Sequence, residues 1–145
     1  MDNFPINNFT SYKQIPLSEL NKYNHSVYVL TFDWNYIFVN DFVNKNLGDR
    51  SIGIIGKNMW VLFPELNQDA AFLQMKKDIE AGRHSAFTTI SPVTGQRLHI
   101  KGWAISDCYF FTASILPIKE DLLNELRSEM RKEALSKKNN STILE

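Results

Sequence analysis

The chain has 145 residues, the size of one ordinary domain. Its 16 basic and 16 acidic side chains balance to a net charge of zero, which argues against a protein that binds nucleic acid by neutralising phosphates. With 43% hydrophobic and 22% charged residues, the composition is that of a folded globular protein and not of a disordered chain.

The predicted elements begin with an irregular arm over residues 1–17, which is rich in Asn and Pro. A short helix is predicted from Pro16 to Leu20, with Ser18 or Asn21 as its capping residue. The arm and this helix precede the first strand signal.

A β-hairpin is predicted next. Residues 26–32 are β-branched and aromatic, residues 33–35 are typical of a turn, and residues 36–39 form the return strand. Asn40 is a favourable helix N-cap and Gly48 a favourable helix stop, so a helix is predicted between them.

The middle of the chain is predicted to be helical. Gly53 and Gly56 bracket a turn, which leads into a short helical piece that Pro64 interrupts. A longer helix is predicted over residues 67–81, ending at Gly82, because four apolar residues recur there at helical spacing: Ala71, Phe72, Met75 and Ile79.

Three strands follow, over residues 85–91, 97–106 and 108–116. In the second of these, alternation separates Leu98, Ile100, Gly102 and Ala104 from His99, Lys101, Trp103 and Ile105. From Pro117 the pattern is helical to about residue 136.

This order of elements predicts an α+β fold: a five-stranded antiparallel sheet with short helices packed on one face, plus a C-terminal exit helix. We divide the chain into an arm (1–17), a globular domain (18–117) and a charged helix or linker (118–145). The 18 aromatic residues support the last boundary, because all of them lie between Phe4 and Phe111. Residues 119–138 instead hold six Lys/Arg and five Asp/Glu.

The sequence also predicts a location. The N-terminus lacks the pattern of a secretory signal, and the apolar runs are too short to cross a bilayer. The single cysteine, Cys108, cannot form an internal disulfide. We therefore expect a cytoplasmic protein without a membrane partner. The final Leu144-Glu145 is consistent with a cloning remnant, in which case the natural chain is longer.

Four short segments, in order and on matching elements, resemble a PAS domain over residues 18–117. They are YIFVN (36–40), Leu47-Gly48, IGKNMW (55–60) running into Phe63-Pro64, and IEAG (79–82). The resemblance implies a sensory module without catalysis of its own. Such a module holds a cofactor or metabolite between its sheet and helices, or dimerises through its sheet, and passes a signal into an exit helix and on to an effector domain or protein.

The same resemblance allows the residues that hold particular cofactors in the family to be compared with the matching positions of this chain. Light-sensing relatives carry a flavin-reactive cysteine in a motif that matches residues 56–63, where this chain has Met59. A thioether cannot become a thiolate nucleophile, so the flavin photoadduct is excluded. Haem-binding relatives place a histidine in the long middle helix, but residues 67–81 contain none and His84 lies beyond the helix end, so we do not expect haem.

A metal site and an enzyme are not expected either. His25 and His99 are far apart and lack partners at metal-ligand spacing. The sequence has no phosphate loop, no Gly-x-Gly-x-x-Gly and no Gly-x-Ser-x-Gly. Any catalytic effector would then lie outside this chain. The weakest alternative is a small isomerase with His99 in its pocket, if the strand parity that His99 shares with Trp103 faces the helices.

The aromatic residues have two interpretations, since they either fill the core or border a ligand pocket. The candidate pocket residues are Phe42, Met59, Trp60, Phe72, Phe87 and Trp103. Met59 and Trp60 stand where the family usually borders its ligand. The ligand itself is not identified by these residues.

The tail has an apolar stripe at Leu122 or Leu123, Leu126 and Met130, which Glu133 interrupts. It is either a helix that packs on the domain or pairs weakly in a homodimer, or the first turns of a signalling helix. The leading hypothesis is a dimeric sensory and signal-transduction module that binds a small ligand or partner. The alternative is a ligand-free adaptor that associates with other proteins.

Overall fold

The computed structural model describes residues 10–117 and 126–135. It contains one antiparallel sheet with strand order β2-β1-β5-β4-β3. The strands are β1 (Ser26–Leu30), β2 (Tyr36–Val39), β3 (Ser85–Ile90), β4 (Arg97–Ala104) and β5 (Tyr109–Ile115). The helices are α1 (Leu17–Leu20), α2 (Asp41–Leu47), α3 (Met59–Leu62) and α4 (Ala70–Glu80), with residues 126–135 as α5. Single 3-10 turns occupy Tyr12–Gln14, Gly48–Ser51 and Pro64–Gln68. The predicted α+β fold with a five-stranded antiparallel sheet is confirmed.

The sheet separates two hydrophobic clusters, because successive side chains of a strand point to opposite faces. On β5, Tyr109 and Phe111 belong to the inner cluster, beneath α2, α3 and α4, whereas Phe110 belongs to the outer cluster. Ile15 and Leu20, from the N-terminal segment, are buried in the outer cluster. Both faces of the central strands β1 and β5 are therefore covered.

The capping predictions are partly confirmed. Asn40 caps α2, and Gly48 ends it with a φ of 57°. For α1, Asn21 is the C-cap residue, whereas Pro16 occupies the N-cap position without a side-chain cap. Ser18 lies inside that helix, and Asn21 follows it and accepts the Asp41 N–H at 2.9 Å instead.

The predicted strands are confirmed with small changes at their ends. The longer middle helix begins at Ala70 and not at residue 67, because a 3-10 turn extends from Pro64 to Gln68. Asp69 then caps α4 by accepting the Phe72 N–H at 3.1 Å. The chain thus turns between α3 and α4 before the helix packs on the sheet.

The described part of the tail is helical over residues 126–135. Leu126 and Met130 are exposed there, by 47% and 69%. The predicted stripe also includes Leu122 or Leu123, which lie outside the described residues. None of the described helices has the length and apolar character needed to cross a bilayer.

Candidate ligand cavity

A cavity of about 90 Å³ lies between the sheet and the helices. We call it the inner cavity. Strands β1, β2, β4 and β5, helices α2, α3 and α4, and the β3–β4 turn contribute to its wall. The lining residues are Ser26, Tyr28, Tyr36, Val43, Asn46, Leu47, Met59, Phe63, Leu66, Phe72, Ser91, Val93, Thr94, Leu98, Ile100 and Ala113. These residues are mostly apolar, and a few hydroxyls and one amide interrupt them; within residues 10–117 and 126–135, no charged side chain belongs to the lining.

Asn58 positions Met59 in this wall. Its Oδ1 accepts the N–H groups of Trp60 and Val61, at 3.0 and 3.3 Å, and so starts α3. Its Nδ2 donates to the carbonyl oxygen of Asp33 at 2.8 Å, which ties the helix start to the hairpin turn. Met59 follows this fixed residue and is 2% exposed.

Asn40 holds together three segments next to the cavity and is fully buried. Its Oδ1 accepts the N–H groups of Val27 and Val43, at 3.1 and 3.2 Å. Its Nδ2 donates to the carbonyl oxygens of Leu20 and His25, both at 2.9 Å. One amide therefore joins the start of α2 to β1 and to the connection that precedes β1.

Part of the cavity wall is tied by a second amide. Asn46, at the end of α2, donates to Oε1 of Gln96 at 2.9 Å, and Gln96 donates back to Oδ1 of Asn46 at 3.1 Å. Gln96 lies at the end of the β3–β4 turn, which Ser91 shapes by accepting the N–H groups of Val93 and Thr94. The reciprocal pair links the helix to the turn at the cavity.

The structure places two of the six candidate pocket residues in the lining, namely Met59 and Phe72. Trp60 is buried in the inner cluster, where its ring meets Trp34 edge-on, but it does not line the cavity. Phe87 packs edge-on against Phe72 with ring centroids 5.5 Å apart and is also outside the lining.

The other two candidates lie elsewhere. Phe42 is half-buried on α2 and is not among the lining residues. Trp103 packs on the outer cluster with Phe110, on the opposite face of the sheet. The alternation in β4 already separated Trp103 from Ile100, but the sequence did not say which parity faces the helices.

Sequence reasoning missed the two tyrosines that line the cavity. Tyr28 on β1 stacks on Phe111 of β5, with ring centroids 5.3 Å apart and planes at 8°. Tyr36 on β2 meets Phe63 edge-on, with centroids 6.4 Å apart. Burial raises the pKa of both tyrosines well above the ordinary range, so both hydroxyls stay protonated. Strand parity could have placed Tyr28 on the side of Leu30, opposite Val27 and Val29.

The residues present do not fit a thiol-linked chromophore. Cys108, the only cysteine of the chain, is buried in the outer cluster, across the sheet from the cavity. Burial, with Asp107 beside it, raises the pKa of this thiol to about 12, which leaves it unreactive.

A haem ligand is not placed in the cavity either. His84 borders a depression outside the cavity between α4 and β3, and His99 on β4 bonds to Thr88 on the neighbouring strand β3. The lining drawn from the described part of the chain includes no histidine. Among the described residues, no three His, Cys, Asp or Glu side chains gather as metal ligands.

The fold described above is that of PAS domains. No family model and no curated protein matches the sequence, whereas solved structures of PAS domains match the fold. The photoactive yellow protein domain from the sensor histidine kinase Ppr of Rhodospirillum centenum matches with a TM-score of 0.57 and 17% identity, over 70% of this chain and 94% of that one. The PAS domain of the RpfR quorum-sensing receptor of Cronobacter turicensis, in complex with BDSF, matches with a TM-score of 0.52 and 12% identity, over 66% and 97%. The PAS domain from BvgS of Bordetella pertussis matches with a TM-score of 0.50 and 12% identity, over 80% and 94%.

Proposed function

We propose that this chain is a non-catalytic sensory module that binds a small molecule in the inner cavity and relays its occupancy through the C-terminal helix. The observation that carries the proposal is the inner cavity itself, which lies between sheet and helices and is lined by apolar groups with a few polar ones. Small-molecule sites in proteins have this character. A relative of the same fold, the RpfR PAS domain, has been solved in complex with BDSF and with C12:0.

The size of the cavity limits the ligand in the structure as it stands. A cavity of about 150 Å³ holds benzene, and this one is about 90 Å³. A single ring would therefore require a small expansion of the cavity, and a larger molecule would require the wall to open. The Asn46–Gln96 pair is the tie between α2 and the β3–β4 turn that such an opening would break.

The non-catalytic part of the proposal rests on the lining chemistry. The described residues that line the cavity include no acid, histidine or cysteine, which are the usual general acids, bases and nucleophiles. The lining tyrosines are held in the phenol form by burial. Binding is therefore the activity that this wall supports.

The relay part of the proposal rests on the exposed helix at the end of the described chain. Leu126 and Met130 are exposed about one turn apart on the same side of α5, and an apolar stripe on a charged helix is the ordinary surface for pairing with a second helix. We propose a homodimer in the cytoplasm, with an effector domain or a separate effector protein as the recipient of the signal. Such coupling requires that the ligand prefer one of two helix arrangements.

The experiment combines two measurements on the purified full chain. Native mass spectrometry with an absorbance spectrum detects a retained molecule, and light scattering compares the association state with that of a chain ending at Pro117. We expect a bound small molecule or a ligand-dependent rise in melting temperature, and a shift towards monomer in the shortened chain. The proposal is refuted when neither a ligand effect nor a change in association is found.

A ligand-free adaptor is the second candidate. The observation that favours it is the outer sheet face, where Ile37, Phe38 and Trp103 remain half-buried next to the outer cluster. An adaptor would associate through this face with an empty cavity. Substituting Trp103 with Ser would then abolish association, while benzene and phenol would leave the melting temperature unchanged.

A further inference from the structure

The polar groups of the inner cavity are not all equivalent. The amide of Asn46 is paired with Gln96, Ser91 accepts two backbone N–H groups, and the hydroxyl of Thr94 accepts the Gln96 N–H at 3.3 Å. The hydroxyls of Tyr28 and Tyr36, in contrast, have no hydrogen-bond partner among residues 10–117 and 126–135. Buried tyrosine hydroxyls usually have one.

The two rings are fixed in place. Tyr28 is the cross-strand neighbour of Phe111 and stacks on it. Tyr36 is held edge-on by Phe63, and the two tyrosine rings are 6.0 Å apart at 57°. Because aromatic side chains have few torsions, little conformational entropy is lost when their hydroxyls bind a ligand.

The surroundings decide which ligand these hydroxyls suit. A phenol donates one hydrogen bond, so the two tyrosines offer two donors to a ligand in the cavity that they both line. The described residues that line the cavity include no cation, and burying an unpaired carboxylate costs several kcal/mol. A neutral acceptor such as a carbonyl or hydroxyl oxygen avoids that cost.

We propose that Tyr28 and Tyr36 form the polar anchor of the cavity and select an uncharged, compact, largely apolar ligand with one hydrogen-bond acceptor, such as a phenol or a cyclic ketone. This inference rests on the proposed function, because it takes the inner cavity as the ligand site. It adds the chemical class of the ligand and the two side chains that discriminate it.

The test uses three probes built on the same ring: phenol, benzene and benzoate. Dissociation constants are measured from chemical shift changes in two-dimensional NMR spectra of the full chain. We expect phenol to bind on the order of tenfold more tightly than benzene, which corresponds to one or two net hydrogen bonds. Benzoate should bind more weakly than phenol, since its charge has no partner in the wall.

The variants Tyr28→Phe and Tyr36→Phe remove one hydroxyl each and keep the ring. Each should reduce the preference for phenol severalfold and leave benzene binding unchanged. Tyr109→Phe is the matched control, because Tyr109 is buried in the inner cluster but is not among the cavity-lining residues. It should keep the full preference.

The outcomes separate the two proposals. Equal binding of phenol and benzene by the unmodified chain overturns the tyrosine anchor and leaves the cavity as a binding site. A phenol preference that survives in both Phe variants also overturns the anchor. The absence of binding by all three probes overturns the cavity as the ligand site, and the proposed function with it.

Discussion

Asn40 is the side chain whose loss should affect the fold most for its size. Its amide makes four hydrogen bonds, to the N–H groups of Val27 and Val43 and to the carbonyl oxygens of Leu20 and His25. The residue is fully buried. In the variant Asn40→Ala all four bonds to the side chain are lost. The Val43 N–H keeps the carbonyl oxygen of residue 40 at 3.1 Å and the Leu20 carbonyl keeps the Tyr23 N–H at 3.4 Å, so the Val27 N–H and the His25 carbonyl are the groups most affected.

The expected cost follows from these bonds. Loss of an N-cap costs about 1 kcal/mol, and a buried polar group left unpaired costs about 1–3 kcal/mol. Water entering the vacated space recovers part of that cost. We therefore expect Asn40→Ala to lower the free energy of unfolding by about 3–5 kcal/mol, out of a total of about 5–15 kcal/mol for a typical domain.

A second variant separates the donors from the acceptor. Asn40→Asp keeps an oxygen for Val27 and Val43 but loses the two N–H donors, and it turns a carboxylate towards the carbonyl oxygens of Leu20 and His25. We expect a loss at least as large as that of the alanine variant, because a buried charge without a cation is added to the lost bonds. A smaller loss would show that the donors contribute little.

The assay is urea denaturation followed by circular dichroism and tryptophan fluorescence. Asn44→Ala is the control, since Asn44 is exposed in the same helix and its side chain makes no hydrogen bond within the described residues. The control should stay within about 0.5 kcal/mol of the unmodified chain. If Asn40→Ala also stays within about 1 kcal/mol, below the combined cost of cap and buried groups, the network is not a major source of stability and the reasoning is refuted.

Three further predictions concern other positions. Gly102→Ala should destabilise the fold by about 1–3 kcal/mol, because the added carbon would lie 2.4 Å from the ring of Phe111. In urea denaturation, the double variant with Phe111→Leu should lose less free energy of unfolding than the sum of the two single variants. Losses that simply add would contradict the clash. Burial lowers the pKa of His25 below its ordinary value, so the unfolded chain binds the proton first and stability should fall as the pH drops below about 6.5. Between pH 7 and 5, the free energy of unfolding should depend less on pH in His25→Gln than in the unmodified chain. An unchanged pH dependence would refute the assignment of this effect to His25. Gln96→Ala removes both bonds to Asn46 and should speed amide hydrogen exchange in the β3–β4 turn without changing exchange in β5. If the turn exchanges at the same rate in the variant and the unmodified chain, the Asn46–Gln96 pair does not hold the turn.

The fold was predictable where its signals are local. Asn40 and Gly48 bound α2 because capping and left-handed backbone depend on the residue itself. The helix over residues 67–81 was placed three residues too early at its start, because the 3-10 turn after Pro64 carries no clear apolar period. Strand alternation in β4 correctly separated two faces.

The site was less predictable, because it depends on which face of the sheet meets the helices. Alternation put Trp103 and Ile100 on different faces but gave no reason to prefer either as the inner one. The role of Asn40 beyond capping required the carbonyl oxygens of Leu20 and His25, which reach it only in the folded chain. The unpartnered hydroxyls of Tyr28 and Tyr36 are a property of the packing and have no sequence signature.

Tyr28 connects the proposed anchor to the proposed relay. Its ring stacks on Phe111, which lies in the strand that leads to Pro117 and the tail. A ligand that draws the Tyr28 hydroxyl towards itself acts on β1, which carries this residue, and through the stacked pair on β5. Because the inner face of β5 packs against the cavity wall and its outer face against the cluster that contains Ile15, the strand cannot shift without repacking both clusters. Closely packed interiors favour discrete arrangements over gradual deformation. The proposed relay would therefore couple cavity occupancy to the exit helix through a two-state change in the position of β5.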